Sequence, residues 1–216
     1  MPIKLTIGMA TYDDFDGVFF TIQALKMFHP CENFEFIVLD NNPTSTHGNE
    51  IKNYIENSVK GKYIPFTERV SSFNKYEIVK HATNEYVLII DCHVLIVKDG
   101  ISKLLEYFEN NKDTKDLIQG PLLYDALDQV STHFDPVWRN SMYGIWGCNK
   151  EAYKLGNPFE IQMQGMGLLA FKKSSWPKIC EDFIGFGGEE GYISEKFRQN
   201  GGKNLCLPCL QWNQMG

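Results

Sequence analysis

The chain has 216 residues, of which 43% are hydrophobic and 13% aromatic, and its formal net charge at pH 7 is −6. This length and composition predict one globular domain with a sizeable core and exclude a disordered chain. The acidic balance and the lack of a basic tract exclude a general nucleic-acid-binding protein.

Export and membrane signals are not recognisable in the sequence. The apolar run near the N-terminus is too short for a signal peptide, and acidic residues follow it. No apolar run approaches the roughly 20 residues of a membrane helix. The six cysteines are spread along the chain, and Cys206-x-x-Cys209 lacks the second pair that a zinc site needs. We therefore expect free thiols and a cytoplasmic protein without a transmembrane segment.

Predicted strands and helices alternate in the first half of the chain. Apolar runs predict strands at residues 3–10, 34–39, 62–66, 85–97 and 117–124. Helical spacing of apolar residues predicts helices at residues 19–28, 49–61, 73–81 and 99–108. This alternation is typical of an α/β domain whose mostly parallel sheet carries helices on both faces.

The second half lacks this regularity. Between residues 126 and 164 the periodicity fades, and aromatic residues crowd a stretch rich in glycine and asparagine. Long irregular segments in a compact domain are usually functional, and aromatic faces either suit sugars or cover a sheet. After this segment we predict a strand at residues 165–171, a short helix starting at Ser174 or Ser175, and a helix over residues 189–198.

Polar residues follow three of the predicted strands, at residues 11–14, at residues 40–42, and at Asp91 with His93. The ends of parallel strands meet at one edge of a sheet, where α/β proteins bind ligands. An ionised group inside an apolar run is costly unless it is paired or bound to a metal, so Asp91-x-His93 predicts a cation site. The alternative interpretation is that Asp91 caps a turn and His93 is a satisfied core histidine.

Two adjacent carboxylates, Glu189 and Glu190, follow two glycines at the predicted start of the last helix. Acidic residues complement the helix dipole at this position, so the pair alone has an ordinary structural explanation.

Five segments, in this order, resemble glycosyltransferases of the GT-A fold, close to family 2 and to the polypeptide GalNAc-transferase-like families. They are the opening strand with its Thr-Tyr-Asp loop (5–13), the second strand with its Asp-Asn-Asn end (36–42), Asp-Cys-His (91–93), Gly-Met-Gly-Leu-Leu-Ala-Phe (165–171) and Gly-Gly-Glu-Glu (187–190). The resemblance extends over nearly the whole chain. It implies a single GT-A domain with a nucleotide-binding half, 1–124, and an acceptor-binding half, 125–216.

The resemblance implies that the chain moves a sugar from a nucleotide diphosphate, most often UDP, to a hydroxyl group of a glycan, a lipid-linked acceptor or a protein. The nucleotide would be held by Thr11, Tyr12, Asp13, Asp40, Asn42, Lys75 and Asp91. Asp91 and His93 would bind Mn²⁺ or Mg²⁺, Glu189 or Glu190 would be the catalytic base, and Gly167 and Trp146 would line the sugar site. The family 2 match favours inversion of the anomeric centre, whereas the GalNAc-transferase-like relatives retain it.

One family feature is missing. In these relatives a late histidine often completes the metal site, and residues 207–216 contain none. Either the cation relies on Asp91, His93, phosphates and water, or the sequence stops short of a functional tail.

Two other functions stay open at this point. A nucleotidyltransferase would usually carry a basic glycine-rich loop after the first strand, where this chain has the acidic residues 11–16. A catalytically silent nucleotide- or sugar-binding protein would lack turnover, although Asp91 and the two glutamates favour an enzyme.

Overall fold

The computed structural model describes residues 3–69, 74–180, 182 and 187–215. Its strands are β1 (Leu5–Thr11), β2 (Glu35–Asp40), β3 (Lys62–Pro65), β4 (Tyr86–Asp91), β5 (Val94–Ile96), β6 (Leu117–Gln119), β7 (Leu122–Leu123), β8 (Val130–Ser131), β9 (His133–Arg139), β10 (Met142–Gly147), β11 (Phe159–Glu160), β12 (Leu168–Lys172), β13 (Asn204–Cys206) and β14 (Trp212–Gln214). Its α-helices are α1 (Phe15–Phe28), α2 (Thr46–Asn53), α3 (Asn74–His81), α4 (Gly100–Asn110), α5 (Lys150–Leu155) and α6 (Glu189–Gln199). Within these ranges no helix is both long enough and apolar enough to cross a membrane.

The central sheet has the strand order β11-β13-β6-β12-β4-β1-β2-β3. Strands β3, β2, β1 and β4 run parallel to one another, as do β13 and β6. The predicted α/β class with a mostly parallel sheet is therefore confirmed. The sheet is mixed because two strands run against the others: β12 enters antiparallel between β4 and β6, and β11 pairs antiparallel with β13.

The middle strands are buried on both faces, which explains why they read as continuous apolar runs. Along β4, Leu88 and Ile90 belong to a core cluster shared with α1, whereas Val87 and Ile89 belong to a second cluster shared with α6. All four side chains are 0% exposed. Because both faces of the sheet are covered, the carboxyl ends of its parallel strands are left as the place where a ligand can enter.

Residues 126–164 are more regular than the sequence predicted. Strands β9 and β10 form an antiparallel hairpin whose register shifts between Tyr143 and Ile145, and α5 follows it. The paired rings of Trp138 and Tyr143 lie 5.3 Å apart. The prediction of an irregular segment was wrong because cross-strand aromatic pairs stabilise a hairpin that shows no clean alternation of polar and apolar residues.

Several helix boundaries also differ from the prediction. Helix α2 begins at Thr46 rather than near Asn49 because Ser45 Oγ accepts a hydrogen bond from the Gly48 N–H group at 3.0 Å. It continues into a π-helical turn, Tyr54–Val59. The predicted helix over residues 73–81 is found from residue 74 onward, and residue 73 lies outside the described residues.

Two later elements differ as well. In place of the short helix expected from Ser174 or Ser175, the chain makes a 3₁₀ turn, Lys173–Ser175. The strand expected over residues 117–124 is broken at Gly120, because the Leu210 carbonyl approaches its backbone so closely that no Cβ atom would fit.

The break at Gly120 sends the chain into a second sheet with the order β5-β14-β7-β8. Strand β14 pairs antiparallel with β5 and parallel with β7. This pairing brings residues 212–215 beside the turn that follows β4.

Candidate active site

The ends of β1, β2 and β4 meet at one edge of the sheet. The parallel register sets Thr11 beside Asp40 and Ala10 beside Asp91. Residues 11–14, 40–42 and 91–93 therefore surround a common crevice, as the parallel arrangement predicted.

The predicted nucleotide-binding residues differ in how far they are buried at this edge. Asp40 is fully buried, and its two carboxylate oxygens accept hydrogen bonds from the Asn42 N–H group at 2.8 Å and the Tyr63 hydroxyl at 2.7 Å. Burial and then Asp40 raise the pKa of Tyr63, so its hydroxyl remains a donor. Asp40 thus stabilises the loop in which the half-buried Asn42 lines the crevice.

The loop after β1 combines a buried and an exposed part. Thr11 is 3% exposed, whereas Tyr12 is 61% exposed and its ring is open to a ligand. Asp13 is exposed and has a φ of 56°, a conformation that aspartate tolerates better than most residues.

A buried threonine of α1 holds the turn after Asp91. Thr21 Oγ1 donates a hydrogen bond to the Cys92 carbonyl oxygen and accepts one from the Val94 N–H group, each at 3.0 Å. The hydroxyl satisfies two buried backbone groups, so it stabilises the turn that carries His93.

Thr21→Val removes this hydroxyl with almost no change in side-chain shape. We expect unfolding to become easier by about 1–3 kcal/mol, because one buried donor and one buried acceptor lose their partner. Chemical denaturation with circular dichroism checks the change. Thr46→Val, at the exposed start of α2, is the control, and an equal loss of stability in both variants would contradict the assignment.

Asp14, Cys92 and His93 form a compact polar group. Within the part of the chain that the structure describes, their potential ligand atoms lie within 4.8 Å of one another. Asp14 Oδ2 accepts a hydrogen bond from the Cys92 thiol at 3.2 Å and lies 3.4 Å from His93 Nδ1.

The ionisation of this group follows from its burial and its hydrogen bonds. Burial and the neighbouring Asp14 raise the pKa of Cys92, so the thiol stays protonated and is a donor rather than a thiolate ligand. Burial also raises the pKa of Asp14, but hydrogen bonds from the Gly17 N–H group, Cys92 and His93 lower it by more, so the carboxylate stays ionised.

Asp91 is paired with a cation from α3. The Lys75 Nζ atom lies 3.5 Å from Asp91 Oδ1, and 35% of the Asp91 side chain is exposed to solvent. Lys75 also lowers the pKa of Glu190 through its charge, so one ammonium group interacts with both carboxylates. Lys75 therefore connects the end of β4 to the start of α6.

Glu189 and Glu190 begin α6 after two glycines in left-handed conformation. Gly187 and Gly188 have φ values of 92° and 83°, which favour glycine over residues with a side chain. Among the residues that the structure describes, the buried Oε2 atoms of both glutamates have no hydrogen-bond partner. Burial, followed by the charge of Glu189, raises the pKa of Glu190. A buried carboxylate with an unused acceptor and a raised pKa is suited to accept a proton from a ligand hydroxyl.

The predicted sugar-site residues are tightly packed. A Cβ atom on Gly167 would lie 2.5 Å from the Trp212 ring and 3.4 Å from Asp91 Oδ2. A larger residue at this position would therefore clash with Trp212. Trp146 packs against Phe134, with ring centroids 4.3 Å apart, and its ring covers Gly165. Trp146 is thus partly a wall of the core, and its role in sugar binding stays a prediction.

A groove runs beside the start of α6. It has a volume of about 680 Å³ and lies between the β9–β10 hairpin and α6, with Tyr143, Met163 and Tyr192 among its walls. Arg198 contributes a cationic rim and donates hydrogen bonds to Glu195 and to the Gln162 carbonyl. A groove with aromatic walls and a polar rim suits a hydroxyl-bearing ligand such as a sugar.

Comparison with known proteins identifies the family. The sequence model of Glycosyl transferase family 2 matches residues 6–143, which contain β1, β2, β4 and the three strand ends. The chain belongs to this family. A search of curated protein sequences found no match.

Two solved structures show that this family 2 chain has the GT-A fold. GalNAc-T7, solved with UDP, GalNAc and Mn²⁺, superposes with a TM-score of 0.75 at 15% identity, over 99% of this chain and 44% of the other. The mannosyltransferase PcManGT from Pyrobaculum calidifontis, solved with GDP-Man and Mn²⁺, gives a TM-score of 0.66 at 15% identity, over 97% of this chain and 56% of the other. The family 2 chain therefore spans about half the length of these two proteins.

Sequence reasoning missed two residues near the predicted cation site of this family 2 chain. Asp14 was read only as part of an acidic loop, although its position before α1 is a signal for a helix cap. Gln214 lies 2.8 Å from His93 through its amide nitrogen, and no local pattern indicates this contact across 121 residues.

Proposed function

We propose that this chain is a metal-dependent glycosyltransferase that uses a nucleotide-diphosphate sugar, with UDP as the preferred nucleotide, and a hydroxyl acceptor. One observation carries the proposal. At the ends of β1, β2 and β4, a half-exposed Asp91 and His93 lie one residue apart, and the charge of Lys75, which pairs with Asp91, also acts on the half-buried Glu190. In the proposed site, Asp91 and His93 hold the metal ion, Lys75 binds the diphosphate and Glu190 is the candidate base.

The side chains present fit a hard divalent cation. A carboxylate and an imidazole that reach solvent are ligands that Mn²⁺ accepts, and Mg²⁺ is the alternative if oxygen ligands dominate. Asp91 and His93 would hold the ion, which offsets negative charge on the departing nucleotide diphosphate when it is bound. Both neighbours of known structure contain Mn²⁺ with a nucleotide or nucleotide sugar, which supports the same assignment.

The remaining residues have separate tasks in the proposed reaction. Thr11, Tyr12, Asp13 and Asn42 line the nucleotide side of the crevice, and Asp40 keeps its loop in place. Lys75 stabilises charge on the diphosphate. Glu190 accepts the proton of the acceptor hydroxyl while that oxygen bonds to the anomeric carbon and the bond from this carbon to the diphosphate oxygen breaks. Glu189 is the alternative base, and its burial at 5% exposure favours a supporting role.

The stereochemical course is part of this proposal. A base that activates the acceptor on the face opposite the leaving group inverts the anomeric centre. Proton NMR of the first product formed would show the inverted anomer, and the retained anomer would contradict a direct displacement assisted by Glu190. The cytoplasmic location and the acceptor-binding role of residues 125–216 stay predictions.

Calorimetric titration with UDP and with GDP, each with and without Mn²⁺, tests the function. We expect UDP to bind and Mn²⁺ to strengthen its binding at least tenfold. Equal nucleotide affinity with and without Mn²⁺ would contradict the cation role of Asp91 and His93. No binding of either nucleotide would contradict the glycosyltransferase assignment, and binding without turnover of any UDP-sugar would favour a silent nucleotide-binding protein.

A further inference from the structure

The two ring nitrogens of His93 have different partners. Nδ1 lies 3.4 Å from Asp14 Oδ2, and Nε2 lies 2.8 Å from the amide nitrogen of Gln214. A carboxylate only accepts hydrogen bonds, so the proton of the neutral ring belongs on Nδ1 and the lone pair on Nε2. The lone pair of His93 therefore points toward Gln214.

Backbone pairing, rather than a flexible tail, fixes Gln214 in this place. Gln214 pairs with Val94 in the antiparallel ladder of β14 and β5. The next residue, Met215, donates its N–H group to the His93 carbonyl oxygen at 2.8 Å. Gln214 consequently stays beside the imidazole as long as β14 remains in the sheet.

Asp14 is fixed as firmly on the other side of the ring. Its Oδ1 atom caps α1 by accepting a hydrogen bond from the Gly17 N–H group at 2.8 Å, which leaves Oδ2 for His93. A carboxylate on the far nitrogen of a histidine is the usual arrangement behind a metal-ligating imidazole. Asp14 therefore fits the place of a positioning residue behind His93 better than that of a direct ligand.

We propose that Gln214 completes the cation site by placing its carboxamide oxygen beside His93 Nε2, and that Asp14 positions the imidazole for this role. This inference rests on the proposed metal-dependent function and names two further residues of its site. The amide oxygen and nitrogen exchange places by a half-turn of the side-chain amide group, so the same glutamine donates to the lone pair without a cation and offers an oxygen to a cation.

The proposal explains how a site without the late histidine is completed. An imidazole would shift the donor set toward Zn²⁺ and Ni²⁺, whereas a neutral carboxamide oxygen favours the harder Mn²⁺ and Mg²⁺. We therefore expect Gln214→His to raise the affinity for Zn²⁺ relative to that for Mn²⁺.

Electron paramagnetic resonance of Mn²⁺, titrated into the full chain saturated with UDP, measures the free and bound ion directly. We expect Asp14→Asn to weaken Mn²⁺ binding about 10–100-fold, the range that outer partners of metal ligands give. Gln214→Leu should weaken it at least as much, because it removes a proposed ligand atom. Asparagine caps a helix as well as aspartate does, so Asp14→Asn keeps α1 intact. Asp16→Asn removes the same charge two residues away, on an exposed side chain, and is the matched control.

The outcomes separate this inference from the function on which it rests. If wild type binds Mn²⁺ and Asp91→Asn does not, while Gln214→Leu and Asp14→Asn bind it as wild type does, the roles of Gln214 and Asp14 are wrong and the metal site stands. If Asp16→Asn weakens binding as much as Asp14→Asn, the effect is one of net charge and the positioning role is wrong. If wild type binds no Mn²⁺, both proposals fail. Thermal melting of each variant verifies that β14 and α1 remain folded.

Discussion

Asp91→Asn is expected to abolish the strengthening of UDP binding by Mn²⁺ and to lower turnover about 1,000-fold. Asparagine keeps the size and the carbonyl oxygen of aspartate but removes the charge that pairs with Lys75 at 3.5 Å and that holds the cation in the proposed site. A bound cation contributes several kcal/mol of charge stabilisation in the transition state, and about 4 kcal/mol corresponds to three orders of magnitude in rate. Calorimetry and a UDP-release assay measure the two effects.

Asp99→Asn is the matched control for this variant. Asp99 lies on the same segment, is exposed and makes no side-chain cap to α4, and its φ of 66° is one that asparagine adopts readily. We expect this variant to behave as wild type. Turnover and Mn²⁺ dependence preserved in Asp91→Asn would show that the cation, if it binds, is held elsewhere.

Glu190→Gln is expected to lower turnover about 100- to 10,000-fold, the usual contribution of a general base. UDP binding with Mn²⁺ should remain as in wild type, because the proposed base contacts the acceptor rather than the nucleotide. Exposed Glu109→Gln on α4 is the control. A loss confined to Glu189→Gln instead would transfer the role to the other carboxylate.

The same variant should also be more stable than wild type at neutral pH. Burial and Glu189 raise the pKa of Glu190 in the folded chain, so ionisation of this group opposes folding once the pH exceeds the ordinary glutamate pKa. Below that pKa, about 4.3, the group is protonated in both states and the difference disappears. Melting temperatures at about pH 4 and about pH 7.5 should therefore differ between wild type and variant only at the higher value. Equal melting temperatures at both values would contradict a raised pKa.

The elements that the sequence predicted are those determined by the pattern of neighbouring residues. The apolar run of β4 and the glycines before Glu189 each mark an element from neighbouring residues alone. The direction of parallel strands then brings Thr11, Asp40 and Asp91 together without further information. For this reason the crevice was predictable, although the roles assigned to its residues still need experiments.

The features that sequence did not predict depend on partners far away in the chain. Nothing near Gln214 indicates that its amide meets His93, because the contact is created by the pairing of β14 with β5. The close approach of the Leu210 carbonyl to Gly120 is likewise a contact between segments about 90 residues apart. The β9–β10 hairpin escaped prediction because its aromatic pairs replace the usual alternation of polar and apolar residues.

The insertion of β14 between β5 and β7 has a consequence for biosynthesis. The second sheet joins segments more than 80 residues apart, and such distant pairings close slowly because a long loop loses conformational entropy first. A nascent chain can form the parallel strands β1 to β4 early, but it cannot join β5 to β7 until residues 212–214 have left the ribosome. We expect a ribosome-bound chain that lacks residues 212–214 to expose an unpaired strand edge. Such a chain should bind a chaperone until these residues have been synthesised.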